Sequence, residues 1–137
     1  MIRQVGHVAY AVKDIEASRR FYCQGLGLEE AFQLYRDDGT LSIVYLKAGN
    51  GSFIELFPRP DFSPGDPNQV SYKHLCLHVD GLADMVAELK AKGIELTSDT
   101  KEGKDGNLQA WIRDPDGNRI ELMQIAPNSK QAQAYGA

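Results

Sequence analysis

Hydrophobic and polar residues alternate with a period of two in several short runs, the signature of half-buried strands. From Gly6 to Val12, His7, Ala9 and Ala11 fall on one side and Val8, Tyr10 and Val12 on the other. Asp14 then offers an N-cap. Ile15 to Gln24 suits a helix that closes near Gly25-Leu26-Gly27. Strands are predicted at Glu29 to Leu34, Ser42 to Lys47 and Ser52 to Phe57. Asp37-Asp38-Gly39 and Gly49-Asn50-Gly51 supply the turns between them. Pro58, Pro60, Pro64 and Pro67 then exclude regular structure and predict a linker.

After the linker the pattern restarts. Lys73 to Asp80 alternates, with His74, Cys76 and His78 on one side and Leu75, Leu77 and Val79 on the other. Leu82, Met85, Val86 and Leu89 trace one face of a helix that Gly93 ends. Ile94 to Ser98, Gln109 to Arg113 and Arg119 to Gln124 read as strands, the last two joined by a turn at Asp114-Pro115-Asp116-Gly117-Asn118. From Pro127 the chain is polar and is expected to be irregular.

The two halves are one unit used twice: strand, helix, strand, strand, strand. Residues 45–56 align with 111–122 without a gap, matching Gly51 to Gly117, Ile54 to Ile120, Glu55 to Glu121 and Leu56 to Leu122. His7 pairs with His74, one position out of that register. A half of this size is marginal alone, whereas two packed halves make a credible core. The expectation is an α+β domain over residues 1–126. Module 1 covers about 3–57, the Pro-rich linker 58–70 and module 2 about 71–126, with a tail at 127–137.

Composition narrows the function. A chain of 137 residues with net charge −4 has no basic excess for nucleic acid. Two cysteines, Cys23 and Cys76, without CxxC spacing, read as reduced thiols of a cytoplasmic protein. No apolar run is long enough for a membrane span, and Met1 to Val5 carries no signal-peptide core.

The repeat places a His on the first strand and a Glu on the last strand of each module. By alternation, His7, Glu55, His74 and Glu121 lie opposite the aliphatic faces of their strands. One strand His is ordinarily a solvated or hydrogen-bonded side chain. Two His and two Glu at matching positions of a repeat instead make a mixed N/O set suited to a divalent metal, with coordination positions left for water or substrate.

The run from His7 through Ile15, Phe21-Tyr22, Gly25-Leu26-Gly27-Leu28 and the stretch Asp114 to Leu122 resemble the glyoxalase I-like vicinal oxygen chelate superfamily over residues 5 to about 126. The resemblance implies two paired βαβββ modules forming a cupped mixed sheet around one divalent metal, chelated by adjacent oxygens of a small-molecule substrate. Within the superfamily the set His7, Glu55, His74, Glu121 is similar to the four ligands of lactoylglutathione lyases. Epimerase relatives usually carry Gln where Glu55 stands. Extradiol dioxygenases need only the equivalents of His7, His74 and Glu121 for iron.

The resemblance further implies nickel, cobalt, zinc or manganese as the metal and proton abstraction next to a carbonyl through a metal-stabilised enediolate. Glu55 or Glu121 would act as base, and a homodimer would share its active sites. It also exposes departures. Lactoylglutathione lyases hold glutathione with an Arg where this chain has Ala11 and an Asn where it has Arg59; some have a further Arg where it has Val70. A non-glutathione substrate, such as an oxidised sugar or hydroxy-ketone, is therefore expected. Ala11 would leave room, Phe53, Phe57 and Met123 would form apolar walls, and Arg59, Lys104 and Arg113 are candidate anion contacts. An Fe(II) dioxygenase and a non-catalytic ligand-binding protein are the alternatives.

Overall fold

The computed structural model describes residues 1–63, 65 and 71–134. The chain divides into two compact units, Met1–Asn68 and Gln69–Ala137. Their eight strands form two four-stranded mixed sheets, one per unit.

In the first unit, β1 (His7–Val12) is followed by α1 (Ile15–Arg19), β2 (Glu30–Tyr35), β3 (Leu41–Lys47) and β4 (Phe53–Pro58). The sheet order is β1-β4-β3-β2. β1 and β4 run parallel, and the other pairs are antiparallel. Asp14 caps α1 by accepting a hydrogen bond from the Ala17 amide at 3.0 Å, as its position predicts. The helix does not run on as an α-helix to Gln24. Arg20–Gly25 forms a π-turn, closed by the Leu26 amide donating to the Phe21 carbonyl five residues back at 2.9 Å. Apolar spacing cannot foretell that widening, because it serves either helix type. Tyr22 on this turn is wholly buried with Val12, Val44, Leu46, Ile54 and Leu56.

The second unit repeats the plan. It contains β5 (Leu75–His78), α2 (Leu82–Ala91), β6 (Ser98–Glu102), β7 (Leu108–Arg113) and β8 (Arg119–Gln124). Its sheet order, β5-β8-β7-β6, matches that of the first. Leu82, Leu89, Ile112, Ile120 and Leu122 fill the layer between α2 and the sheet. The Gln124 side chain caps α2, accepting from the Leu82 amide at 2.7 Å. The turn after β7 is built on Asp114. Its Oδ1 accepts from the amides of Asp116 and Asn118 at 3.0 and 2.8 Å, and its Oδ2 accepts from the Asn118 side chain at 2.9 Å. Gly117 and its counterpart Gly51 both sit at positive φ, 83° and 79°, a conformation that other residues adopt only with strain.

Four expectations need correction. Pro58, expected to open the linker, is the last residue of β4, in register with Val12. β5 starts at Leu75, so His74 immediately precedes the strand, and Lys73, Val79 and Asp80 also lie outside it. The sixth strand is Ser98–Glu102 rather than Ile94 to Ser98. Its side chains are almost all exposed, and it is held by main-chain pairing to β7, so it has no hydrophobic alternation to read. The tail is ordered in part, as α3 (Lys130–Ala134). Ser129 and Ala132 are buried there, and Ser129 Oγ accepts from the Ala132 amide at 3.2 Å. Buried Asn107 ties this segment down: its side chain accepts from the Ala126 amide at 3.0 Å and donates to Gln131 at 3.3 Å. A polar segment can thus dock through buried hydrogen bonds that hydropathy does not register. Much of the expected linker, residues 64 and 66–70 with Val70 among them, lies outside the described residues, as do residues 135–137. Among the described residues no helix is long and apolar enough to cross a membrane.

Two stability outcomes follow. Asp114→Ala removes the acceptor of three hydrogen bonds and is expected to cost about 2 kcal/mol, read as a lower urea midpoint at unchanged slope. Removing residues 127–137 is expected to lower the thermal midpoint by about 5 °C in a melt followed by circular dichroism; an irregular tail would leave it unchanged.

Candidate metal centre

Each unit sets its His beside its Glu by the same device. In a parallel pair, residues in register share a face. In β1 and β4, Ala9 is in register with Glu55, and His7 with Phe53. In β5 and β8, Cys76 is in register with Glu121. The His two residues before each of these partners therefore projects on the same face as the Glu. His7 Nε2 lies 3.4 Å from Glu55 Oε2, and His74 Nε2 lies 3.1 Å from Glu121 Oε2.

The environments are unequal. The Glu55 side chain is 7% exposed and that of Glu121 13%, whereas His7 is 55% exposed and His74 33%. A carboxylate so deeply buried is expensive unless its charge is balanced. Among the described residues neither Glu has a Lys or Arg partner at ion-pair distance; each faces an imidazole. Glu55 also accepts from the Tyr45 hydroxyl, and that bond, with desolvation and the carboxylate charge behind it, raises the phenol above its ordinary pKa. On the other sheet, desolvation, then the charge of Glu121 and the hydrogen bond to it, push the Cys76 thiol up to about 12. It stays protonated and donates to the carboxylate.

The donor set fits a divalent cation. Two N/O ligands bonded at about 2.1 Å to one ion stand about 3.0 Å apart at a right angle and about 3.4 Å apart at the tetrahedral angle. Both observed pairs fall in that window. Each unit by itself contributes two such donors; among the described residues no group of three or more His, Cys, Asp or Glu gathers into a metal-binding cluster.

The remaining expected residues are distributed around these pairs. Ala11 lies in register with Phe57, and both share the face of His7, Phe53 and Glu55. Arg59 follows β4; it is exposed, and its guanidinium donates to the Pro58 carbonyl at 3.0 Å. Met123 lies on the face of Glu121 but is buried, its sulfur accepting from Asn107 Nδ2 at 3.5 Å.

Two residues of the site escaped sequence reasoning. Tyr45 and Trp111 occupy matching positions of the repeat and stand in register with Glu55 and Glu121. Tyr45 bonds its Glu and stacks on Phe32, with ring centroids 4.2 Å apart. Trp111 instead meets the edge of the His74 ring, with centroids 4.7 Å apart, and donates its indole N–H to Gln109 at 2.6 Å. The gapless alignment of 45 with 111, combined with antiparallel pairing across each hairpin, was the signal that could have found them.

Comparison with known proteins places this geometry in a family. The profile of the Glyoxalase/Bleomycin resistance protein/Dioxygenase superfamily matches residues 4–122. The mitochondrial methylmalonyl-CoA epimerase of Bos taurus is 30% identical over 129 residues, covering 88% of this chain and 74% of the relative. A probable lactoylglutathione lyase of Vibrio cholerae is 29% identical over 135 residues, covering 93% and 92% respectively. The crystal structure of a glyoxalase family protein from Enterococcus faecalis superposes with a TM-score of 0.75 at 26% identity, over 88% of this chain and 97% of that one. With the same repeated sheet order and a profile match over most of its length, the chain belongs to the Glyoxalase/Bleomycin resistance protein/Dioxygenase superfamily.

Proposed function

We propose that His7, Glu55, His74 and Glu121 together hold one divalent metal, and that the protein is a lyase or isomerase of the glyoxalase I type. The reaction moves a proton at a carbon next to a carbonyl. The observation that carries this reading is the same His–Glu pair at the same place in both units, with the Glu55 carboxylate buried, that of Glu121 mostly covered, and neither paired with a Lys or Arg among the described residues. Nickel, cobalt, zinc and manganese all suit two imidazoles and two carboxylates. The four ligands are completed within one chain or between two copies in a homodimer.

When bound, the metal supplies Lewis acidity toward two adjacent oxygens of the substrate. The chain's own residues supply the rest. His7 and His74 act as neutral Nε2 donors and keep their places. A Glu carboxylate, Glu55 or Glu121, takes the proton from one carbon and returns it to its neighbour. Tyr45, across the strand pair from Glu55, supports its carboxylate through the hydroxyl. Ala9 and Ala11 leave space on the sheet face beside His7, and Phe53 and Phe57 border that space with apolar surface. Ala11 and Arg59 stand where glutathione anchors are expected, so the substrate is a different small molecule with adjacent oxygens, such as an oxidised sugar or hydroxy-ketone. The reaction belongs in the cytoplasm.

A second reading is supported by the epimerase relative at 30% identity: inversion at the carbon next to a carbonyl, by the same proton chemistry. Glu at position 55, where the family resemblance puts Gln in epimerases, favours the lyase.

Elemental analysis of the purified protein is expected to find close to one divalent metal per site, lost in His74→Ala; a protein without metal even after reconstitution would overturn the proposal. Glu121→Gln is expected to keep the fold, judged by circular dichroism. It should lower turnover by about 10²–10⁴-fold in assays on methylglyoxal–thiol adducts and hydroxy-ketones. Full activity in that variant would remove Glu121 from the mechanism.

A further inference from the structure

The second sheet carries a double positive charge with no acidic partner among the described residues. Arg113 on β7 and Arg119 on β8 stand directly opposite one another in the antiparallel ladder. Both lie on the face of Trp111 and Glu121, since residues two apart on a strand share a face. Like charges directly opposite destabilise a sheet. Among the described residues neither arginine has a carboxylate at ion-pair distance.

The first unit shows what neutralisation looks like at the matching positions. There Lys47 stands opposite Phe53. Lys47 is paired with Glu29 at 2.8 Å, and Phe53 carries no charge. Glu95, which aligns with Glu29 in the repeat, makes no such pair with Arg113 among the described residues. Among the described residues the second unit thus pairs neither charge with a carboxylate.

Both guanidinium groups are also held in place. Arg119 Cζ lies 4.6 Å from the centre of the Trp111 ring, a cation–π contact. The same indole touches His74. Arg113 donates to the Gly117 carbonyl at 3.3 Å, which leaves most of its five N–H groups free for other acceptors. Arg119 poised over Trp111 beside His74, and Arg113 opposite it on the same face with a long bond to the turn, both carry forked donors that match the oxygens of a carboxylate or phosphate.

We propose that Arg113 and Arg119 form an oxyanion-binding site that anchors the carboxylate or phosphate end of an anionic substrate. The substrate's other end lies at His74 and Glu121, and that part rests on the metal-dependent function proposed above. The substrate class becomes a carbonyl compound bearing a carboxylate or phosphate group.

Trp111 is the single tryptophan of the protein and lies under Arg119, so its emission reports on this site directly. The full-length protein, stripped of metal by chelation, is titrated with inorganic phosphate and with succinate. Sodium chloride at matched ionic strength serves as the reference, and calorimetry accompanies the emission. A saturable response to phosphate or succinate is expected, weakened about tenfold or more in Arg119→Gln and in Arg113→Gln. Arg119→Lys should recover part of it. The tighter of the two salts identifies the group that the site takes. Emission that follows ionic strength alike for all three salts would overturn the proposal. So would calorimetric binding that survives unchanged in the variant carrying both Arg113→Gln and Arg119→Gln. Because no metal is present, the outcome is separate from the metal-content test: binding of oxyanion by a protein that never takes metal keeps the anion site and removes the lyase.

Discussion

Everything chemical in this protein depends on the parallel pairing of the first and last strands of each unit. Parallel neighbours cannot be joined by a tight hairpin; the chain must leave the sheet and return. The helix and two antiparallel strands between β1 and β4, and again between β5 and β8, make that return. Its result is that residues nearly fifty positions apart in sequence project side by side. The pleat then decides which face they use. A slip of one residue in either parallel pair would send Glu55 or Glu121 into the aliphatic layer and turn Ile54 and Leu56, or Ile120 and Leu122, out of it. Burial of those neighbours opposes such a slip strongly. The apolar core thereby sets the register of the polar site.

On this common frame the units diverge electrostatically. Glu55 is held by an imidazole and a phenol hydroxyl, Glu121 by an imidazole and a protonated thiol. Tyr45 is a hydrogen-bond donor to its carboxylate, whereas Trp111 spends its N–H on Gln109 and gives its ring to His74 and Arg119. Replacing one aromatic by another at a repeated position changes a support for a carboxylate into a platform for a cation.

Most of the fold could be read from alternation, capping and turn chemistry. β8 has the expected bounds, Asp14 caps as expected, and the Asp114 turn forms where its residues demand it. Two of the errors share one cause. β6 and α3 are held by main-chain pairing and buried hydrogen bonds, which leave no apolar periodicity. The His and Glu candidates were visible because a repeat doubled each of them. Tyr45 and Trp111 were not, because aromatic residues in a strand ordinarily signal packing, and only cross-strand register assigns them to a carboxylate. The arginine pair flanks the expected turn at Asp114 to Asn118, but only the cross-strand register puts it on the face of Trp111 and Glu121.

The polar edge strand β6 has a further meaning. Its side chains Asp99, Thr100, Lys101 and Glu102 are exposed, and the strand contributes little to the core. Substitutions there are free to accumulate as long as the amide ladder survives, so proline is the change most strongly excluded. Charged side chains along an edge strand also make a poor template for a passing strand. The segment that contributes least to the packed layer thus protects the sheet carrying His74 and Glu121 from edge-to-edge aggregation.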